Sequence, residues 1–494
     1  IFTSSAMRGF AENGTAIAYK AVAIDASTIT YSLGTGNDEG IFDIVAGTGA
    51  VTFKSSPDFE APSDSNADNT YVIELNANDG TNVTSHIANV RVTNTNDNVP
   101  VFATNPITSV DENSNYQYQI ETTDGDGDFV TLSGTTLPNW LSLSMSTVSS
   151  FDGIGIAIEK DDKGNIYLID GNQIKKIDSE GNITVLAGQL GIGSTNGIGT
   201  NASFFLPRDL EMGPDGNLYV ADTRNNLIRK VTMNGLVTTY SGKLNQGFDV
   251  KNGSLLDASF VWPTGLAFDN YGNLFVADSR SQLIRKITPG GIVSTFAGSN
   301  KKVILDRGAG PSIIALDGGF LDGHGTSAKF NGPHKLAIDS NGNLYLTDQH
   351  NHRIRKITAS GEVSTLAGSN QGFLDGNGSK ALFDNPIGIA VDSQNRIFVT
   401  SGFRVRLISF SGKVTTIAGS ENNGFQDGKA ENSRFESILD ILDSGEGELL
   451  IPDPTNLKIR KLRPFNELTG NTSGQSGNHD VILTATDGNA KFEV

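Results

Sequence analysis

Short apolar runs and turn residues alternate through the middle of the chain in a pattern that recurs six times. In each copy an apolar strand and a turn precede a six-residue segment that ends in Asp or Ser, and further strands follow it. The last positions of these segments lie 52, 56, 70, 53 and 52 residues apart. The segments are NIYLID (165–170), NLYVAD (217–222), NLFVAD (273–278), NLYLTD (343–348), RIFVTS (396–401) and ELLIPD (448–453). Four short strands per unit, joined by turns, predict the blades of a β-propeller.

Two of the copies resemble a known family along their whole length. The stretches GLAFDNYGNLFVADSRSQLIRKI (265–287) and KLAIDSNGNLYLTDQHNHRIRKI (335–357) resemble the NHL-repeat family. The resemblance extends over about 146–463 and implies a six-bladed β-propeller. The last two copies depart from the family pattern, because Ser401 replaces Asp and Pro452 falls inside a strand. We expect these two blades to be looser or to lie at an edge.

The two ends of the repeat region complement each other. The first five copies have four strands each, but the sixth stops after LKIRKL (457–462). At the front, VSSFDG (148–153) looks like the fourth strands elsewhere, such as VSTLAG (363–368). We therefore expect the front strand to complete blade six, which would leave no open edge between the first and last blades.

Composition narrows the class of protein. A chain of 494 residues predicts about three domains, and a hydrophobic content of 37% allows packed cores. No apolar run approaches the roughly 18 residues of a membrane helix. The first residues already suggest a strand, so we expect the chain to be cut from something longer. Cysteine is absent, which excludes disulfides and thiol catalysis, and a eukaryotic secreted protein of this size would more often carry some.

Charge is unevenly distributed along the chain. Residues 146–463 carry 32 Lys and Arg against 33 Asp and Glu, whereas the remaining residues carry 5 against 22. This imbalance argues against nucleic acid as a partner of the whole chain, since phosphate binding requires clustered cations. It also suggests that the outer segments need cations to hold their carboxylates together.

Residues 1–100 resemble a cadherin-type repeat, with AENGTAIAY, ITYSL, FDIVAGTGAVTF, PDFE, YVIELNANDG and NTNDNVP in the family's order. In that family calcium lies at the junction between consecutive repeats. Carried over by position, the resemblance implies calcium ligands at Glu12, Asp58, Glu60, Asn96, Asp97 and Asn98, joined by Asp124, Asp126 and Asp487 of the next module. The chain departs from the family at Asn94, where Asp is usual, and its own Asp-x-Asp is reduced to Asp25 and Ser27.

The chemistry of these residues agrees with calcium. Ca²⁺ takes six to eight oxygen ligands from carboxylates and carbonyls, and such clusters would explain the acidic flanking segments. Ca²⁺ is therefore the expected cofactor. The alternative is that these acids are ordinary solvated turn residues.

A second flanking module is divided by the propeller. The stretch VDENSNYQYQIETTDGDGDFVTLSGTTLPNWLSLS (110–144) resembles the dystroglycan-type, cadherin-like Ig family, and an ending of that type, ELTGNTSGQSGNHDVILTATDGNAKFEV, occupies 467–494. We therefore predict one module from 101–145 and 464–494, a guest propeller at 146–463 and a first module at 1–100. Insertion is tolerated when the termini of the guest lie close together.

The NHL pattern also predicts which face of the propeller binds. The propeller segment begins at the start of a fourth strand and ends at the end of a third strand, and both points lie at the bottom face of the propeller. We therefore expect the top face to point away from the split module. Long fourth-to-first connections build that top, where binding is expected. The candidate ligand-binding residues precede inner strands or follow second strands: Arg208, Arg224, Trp262, Arg280, His334, His350 and Arg404. Arginine and tryptophan are favoured anchors, and loop packing with solvated charge is the alternative.

Catalysis is not expected. A catalytic zinc site needs about three converging protein ligands, but four of the six histidines cluster in sequence around blade four: His324, His334, His350 and His352. No nucleophile elbow, P-loop or HExxH motif is present. We expect the repeated acids to accept backbone hydrogen bonds in the turns that follow them: Asp222, Asp278 and Asp348.

These features predict an all-β chain in which a six-bladed propeller is inserted into a split Ig/cadherin-like β-sandwich, after an N-terminal cadherin-like β-sandwich. They resemble the ligand-binding region of a bacterial surface adhesin of the repeats-in-toxin type, stiffened by calcium, whose propeller binds a cell-surface glycan or peptide. There are two alternatives. One is a secreted propeller enzyme, that is, a metal-dependent lyase or hydrolase, and the other is an extracellular scaffold without a dedicated ligand. The expected partners are host or neighbouring surface glycans or proteins and adjacent cadherin-like repeats of the same chain, and we expect an extracellular monomer.

Overall fold

The computed structural model describes residues 2–4, 7–25, 27–35, 38–65, 69–93, 95, 97–120, 122–124, 130–244, 249–300, 302–305, 313–316, 318–409, 411–445, 447–473, 475, 477–486 and 491–493. The chain divides into two compact units, Ile1–Leu143 with Leu468–Val494 and Ser144–Glu467. In the described residues, regular structure consists of strands and short 3₁₀ turns, so the all-β prediction is confirmed. None of the described helices is long and apolar enough to cross a membrane.

The strands that precede the propeller are β1 (Met7–Ala11), β2 (Tyr19–Lys20), β3 (Thr30–Leu33), β4 (Phe42–Val45), β5 (Ala50–Phe53), β6 (Thr70–Asn78), β7 (Val83–Thr93), β8 (Val101–Phe102), β9 (Asn115–Ile120), β10 (Thr122–Thr123), β11 (Thr131–Thr136) and β12 (Leu141–Ser144). The propeller begins with β13 (Thr147–Asp152). Blade one has β14 (Ile158–Lys160), β15 (Ile166–Asp170), β16 (Gln173–Ile177) and β17 (Ile183–Ala187). Blade two has β18 (Gly197–Ile198), β19 (Asp209–Met212), β20 (Leu218–Asp222), β21 (Leu227–Val231) and β22 (Leu236–Gly242).

Blade three has β23 (Gly253–Ser254), β24 (Pro263–Phe268), β25 (Leu274–Asp278), β26 (Leu283–Ile287) and β27 (Ile292–Ala297), and a hairpin of β28 (Lys302–Leu305) and β29 (Ile313–Leu316) follows it. Blade four has β30 (Gly323–His324), β31 (Pro333–Ile338), β32 (Leu344–Asp348), β33 (Arg353–Ile357) and β34 (Glu362–Ala367). Blade five has β35 (Gly376–Asn377), β36 (Pro386–Val391), β37 (Ile397–Ser401), β38 (Arg404–Ile408) and β39 (Lys413–Gly419). Blade six has β40 (Gly428–Lys429), β41 (Leu442–Asp443), β42 (Leu449–Asp453) and β43 (Lys458–Arg463), and β44 (Asn466–Asn471), β45 (Ile482–Thr486) and β46 (Lys491–Glu493) come last.

Nine 3₁₀ turns connect the described strands: Glu39–Ile41, Gly199–Asn201, Thr223–Asn225, Ser279–Ser281, Gly325–Ser327, Gln349–Asn351, Gly378–Lys380, Ala430–Asn432 and Pro454–Asn456.

The first unit is built from small sheets. Strands β1, β7, β6 and β3 form one sheet, and β2, β5 and β4 form another. Alternate residues of β6, among them Tyr71, Ile73 and Leu75, are fully buried and pack with Phe42 and Val51, as expected for a strand with one face toward a core. Strands from both sides of the propeller share sheets, because β44 lies between β12 and β9 and β45 lies between β11 and β46.

The second unit is a six-bladed propeller of antiparallel sheets. In blades two to five the inner strand is followed outward by three further strands and by a two-residue strand from the connecting loop, as in the order β19-β20-β21-β22-β18. The second strands are buried along their whole length, since apolar blades cover both faces. Phe204, Phe260 and Phe330 are fully buried between neighbouring blades.

The propeller is closed by a strand from its own beginning. Strand β13 pairs antiparallel with β43 from Thr147↔Arg463 to Asp152↔Lys458. Val148 is 2% exposed in the core of blade six. The predicted closure is therefore confirmed, and the outer edge of β43 is paired.

Buried ion pairs recur inside the blades. Asp222 accepts hydrogen bonds from the backbone N–H of Phe205 at 2.8 Å and from the Arg229 guanidinium at 2.8 Å, and both charged side chains are fully buried. The same pairing occurs in three further blades: Asp278–Arg285, Asp348–Arg355 and Asp453–Arg460. The prediction that these acids accept backbone hydrogen bonds from the following turn is wrong, because their backbone donors precede the inner strand.

Blades five and six are not loosely packed. Strands β37 and β42 are buried throughout. In blade five Ser401 takes the place of the acid, accepting from the backbone N–H of Asp384 and donating to its carbonyl. In blade six the inner strand is short and pairs only with Leu449 and Leu450, so the missing N–H of Pro452 interrupts no ladder on that side.

Candidate functional site

Two recurring positions, found together in blades two, three and four, contribute side chains to one face of the propeller. The first is the residue before the proline of the inner strand, and the second is the middle residue of the 3₁₀ turn after the second strand. In blades two and three the turn position holds Arg224 and Arg280, and in blade four it holds His350. The repeated backbone therefore presents different side chains at equivalent places.

The position before the proline has a left-handed backbone in four successive blades. The φ angles are 47° at Leu206, 58° at Trp262, 69° at Gly332 and 43° at Asn385. Glycine and asparagine adopt this region readily, whereas a bulky residue there is strained by about 1–3 kcal/mol. Blades two and three therefore place large side chains where the backbone favours small ones.

Hydrogen bonds between blades impose this conformation. The backbone N–H of Trp262 donates to Asn226 Oδ1 of the preceding blade at 2.9 Å. At the equivalent positions, the backbone N–H of Leu206 donates to Asn172 Oδ1 at 2.9 Å, and that of Gly332 donates to Gln282 Oε1 at 2.7 Å. The scaffold thus fixes the backbone of this position while leaving its side chain open to variation.

A cavity of about 420 Å³ lies where these positions converge at the centre of the propeller face. This volume is within the range of small-molecule sites. All six blades contribute to its wall, with lining residues Ile156, Leu206, Arg208, Thr223, Arg224, Trp262, Thr264, Ser279, Arg280, Gln282, Gly332, His334, Gln349, His350, Ile387 and Leu439. Six of the seven candidate ligand-binding residues are among them.

Arg404, the seventh candidate, is not one of the lining residues. Its guanidinium lies over the Phe373 ring at 4.4 Å and pairs with Glu421 at 3.6 Å. Sequence reasoning missed the apolar and amide members of the lining, which carry no motif. The repeat register could have located some of them, since Leu206 occupies the position of Trp262 and Ile387 follows its proline as His334 does.

The cationic side chains are organised around one aromatic ring. The guanidinium carbons of Arg224 and Arg280 lie 4.1 and 4.5 Å from the centre of the Trp262 ring. Both arginines and Arg208 are solvent-exposed. Neither Arg208 nor Arg224 forms an ion pair with a carboxylate in the described part of the chain, and no Asp or Glu is among the lining residues. The cavity therefore has a positive potential that favours an anion.

His334 contributes a neutral polar group. Its Nδ1 atom is buried without a hydrogen-bond partner in the described residues. Burial, together with the nearby charges of Lys335 and Arg208, lowers the pKa of His334 to about 3, so the ring is uncharged at neutral pH. A bound molecule could satisfy this atom, whose isolation otherwise costs free energy.

Charged residues from the inner strands surround the axis of the propeller. Lys335 forms ion pairs with Asp209 and with Asp440, the latter at 2.8 Å. Burial raises the pKa of Asp209 to about 6 and that of Glu159 to about 7, and it raises the pKa of Glu211 well above its usual range. Lys335 therefore joins blades two, four and six by charge, whereas neither Glu159 nor Glu211 forms an ion pair among the described residues.

The first unit contains a separate cluster of carboxylates. Oxygens of Glu12, Glu60 and Asp97 all lie within 4.8 Å of one another. Glu12 is 4% exposed, and its Oε2 accepts the backbone N–H of Phe59 at 2.8 Å. Three carboxylates so close repel one another unless a cation lies between them, and an all-oxygen set suits Ca²⁺.

The other predicted calcium ligands are placed as follows. Asp58 accepts the backbone N–H groups of Glu60 and Ala61 at 3.0 Å and caps a turn. The side-chain amide of Asn98 donates to Asp97 Oδ1 at 3.1 Å. Asp124 does not join the three-carboxylate cluster. Asn96, Asp126 and Asp487 lie outside the described residues.

The fold and cavity define a six-bladed β-propeller with a basic, central pocket, and comparisons with known proteins agree with the repeat type. The NHL repeat model matches residues 330–357, and the model described as Putative Ig domain matches residues 99–166. One NHL repeat is therefore matched in blade four, and a segment that resembles an Ig domain overlaps the start of the propeller. The resemblance of residues 1–100 to a cadherin-type repeat stays a prediction.

Curated relatives match part of the chain. Teneurin-3 of Danio rerio is 24% identical over 340 residues, 65% of this chain and 11% of that protein. Human Teneurin-4 is 30% identical over 220 residues, 41% of this chain and 8% of that protein. The chain thus spans about a tenth of the length of these relatives. Among solved structures, a Bacteroides thetaiotaomicron protein of unknown function is 16% identical with a TM-score of 0.45, over 93% of this chain and 97% of that one.

Proposed function

We propose that the chain is the ligand-binding part of an extracellular, adhesion-type protein of the bacterial cell surface, and that the propeller cavity binds a cell-surface glycan or peptide. The cavity carries this proposal, because three exposed arginines and a tryptophan converge there and no carboxylate is among the described lining residues. Arginine and tryptophan are the residues that most often anchor binding. The similarity to teneurins supports the extracellular, adhesion-type part of the proposal.

The lining favours binding over chemistry. Arginines donate to anions in two-point contacts, and the neutral ring of His334 can exchange a hydrogen bond with a ligand. A catalytic acid and base would need pKa values near the working pH, which burial denies to His334. We propose that the cavity performs no reaction.

The test uses the whole chain, labelled and applied to cells and to arrays of surface glycans and peptides. Arg280→Ala should reduce retention at least tenfold, because it removes a charged two-point contact. The matched control is Arg434→Ala, since Arg434 is an exposed arginine that does not line the cavity. Equal binding by the Arg280 variant and the wild type would reject the cavity as the binding site.

A structural calcium site is the second part of the proposal. Glu12, Glu60 and Asp97 would supply ligands, and the ion would supply the positive charge that three neighbouring carboxylates lack. Its role would be to stabilise the acidic first unit. The cadherin-type resemblance and the acidic composition of the flanking segments support this assignment.

A secreted propeller enzyme is the remaining candidate function. The observation that favours it is the presence of His334 and His350 in the same cavity. Elemental analysis of the purified chain separates the two possibilities, since a metal-dependent lyase or hydrolase would retain a transition metal that His334→Ala and His350→Ala release. Loss of such a metal would favour the enzyme.

A further inference from the structure

The wall of the cavity has two different halves. Blades two and three supply a cationic half of Arg208, Arg224 and Arg280, whereas blades one, five and six supply the apolar residues Ile156, Ile387 and Leu439. A simple inorganic anion would use only the first half. A ligand that fills the cavity must therefore carry its negative charge at one edge and an apolar surface at the other.

The cavity also restricts how a ligand can enter. Described residues from every blade contribute to the wall, so the lining forms a ring around the cavity. Such a ring suits a ligand that enters end-on, as the terminal unit of a longer molecule. The volume of about 420 Å³ is near the lower end of the usual range for small-molecule sites.

The indole of Trp262 is already in use. Two guanidinium groups lie over its ring at 4.1 and 4.5 Å, so the ring holds the arginines in place rather than offering a bare stacking surface. The strained backbone at Trp262 and Leu206 is a second, independent sign of selection for a site, since blades four and five have Gly332 and Asn385 at this place.

The polar groups of the lining suit hydroxyls. Gln349, Ser279 and His334 Nδ1 can each donate or accept a hydrogen bond in at least one rotamer or tautomer. Sugar hydroxyls can pair with such groups in either sense. The positively charged amino terminus of a peptide would instead require a carboxylate, and none is among the described lining residues.

We propose that the cavity binds the terminal sugar of a glycan and selects one that carries a carboxylate. The carboxylate contacts the arginines beside Trp262, the C–H face of the ring packs on the apolar half, and hydroxyls face the polar groups. Trp262 is a positioning residue, because it orients Arg224 and Arg280. This inference rests on the proposed function and names the ligand of that same cavity.

The experiment is calorimetric titration of the whole chain with methyl glycosides of glucuronic, galacturonic and N-acetylneuraminic acid. Methyl glucoside and methyl galactoside are the uncharged controls, and a tripeptide with a free carboxyl terminus tests the competing class. At least one acidic sugar should bind ten- to a hundredfold more tightly than the uncharged sugars, because a charged hydrogen bond is lost without the carboxylate. Uncharged sugars that bind as well as acidic ones would overturn the proposed selection.

Two variants test the assigned roles. Arg280→Lys keeps the charge but loses the planar fork, so it should lower affinity for the acidic sugar about tenfold and leave the weak binding of uncharged sugars unchanged. Trp262→Asn should reduce the ratio of acidic to uncharged affinity, with a smaller loss of melting temperature than truncation of a buried aromatic residue causes. A purely structural role of Trp262 would change both affinities together.

The outcomes also separate this inference from the proposed function. Tight binding of the tripeptide with none of the acidic sugars would reject the sugar and leave surface recognition by the cavity in place. Failure of every probe, with cell binding still lost in Arg280→Ala, would likewise reject only the inference. Cell binding that is insensitive to Arg280→Ala would reject the proposed function itself.

Discussion

Replacement of Trp262 by asparagine tests whether this residue is present for function at the expense of stability. Asparagine should relieve backbone strain of about 1–3 kcal/mol, since Asn385 takes the same conformation in blade five. The loss is the half-buried indole and its two guanidinium contacts, each worth about 0.5–1 kcal/mol at an exposed site. Relief of strain offsets much of this loss, so the free energy of unfolding should fall by less than about 3 kcal/mol, the lower end for truncation of a buried aromatic residue.

The assay is urea unfolding of the whole chain, followed by circular dichroism. Phe260→Ala is the reference for ordinary core truncation, because Phe260 is fully buried and its loss should cost about 3–5 kcal/mol. Leu206→Asn, at the equivalent place in blade two, should behave like the Trp262 variant. A Trp262→Asn cost as large as that of Phe260→Ala would refute the strain argument and assign Trp262 to the core.

Three further predictions concern charge and closure. Asp97→Asn should abolish any rise in melting temperature on adding calcium to chelator-treated protein. The control is Asp43→Asn, which should preserve the rise, since Asp43 is an exposed acid on β4. If calcium has no effect on the wild type, the proposed calcium site is wrong. Glu159→Gln should stabilise the chain at pH 8 by at most about 3 kcal/mol, because burial raises the pKa of Glu159 to about 7. The wild type loses this stability as the pH rises from about 4.5, the pKa in the unfolded chain, through 7. The melting temperatures of the two proteins should therefore converge at pH 4.5, and a difference that is constant with pH would contradict the assignment. Val148→Asp should lower the melting temperature of the propeller by burying a charge in blade six, and an unchanged transition would contradict closure by β13.

The repeat pattern predicted the blades because each strand has a local signal of apolar residues and turns. Closure by β13 was also predictable, since VSSFDG has the form of a fourth strand and blade six lacked one. The buried pairs had a signal that was not used: Arg229 follows Asp222 by seven residues, and the same offset recurs at Arg285 after Asp278.

Other parts of the site had no local signal. Lys335 meets Asp209 and Asp440 across more than a hundred residues of chain, and sequence spacing says nothing about contacts across the axis of a propeller. The sequence predicted Trp262 as a binding anchor, yet its ring is occupied by Arg224 and Arg280. That arrangement depends on a positive φ angle, which nothing in a tryptophan suggests.

The departures from the repeat locate the site better than the repeat does. The inter-blade hydrogen bond fixes one backbone conformation at four equivalent positions, and the least strained residues for it are Gly332 and Asn385. In blade four a Cβ on the glycine would lie 2.5 Å from the His350 ring, so His350 fills the space that Trp262 fills in blade three. Leu206 and Trp262 are strained where a small residue would serve the fold. Both side chains line the central cavity, so the strain supports the proposal that the cavity binds a ligand, and the arginines beside Trp262 would favour an anion there.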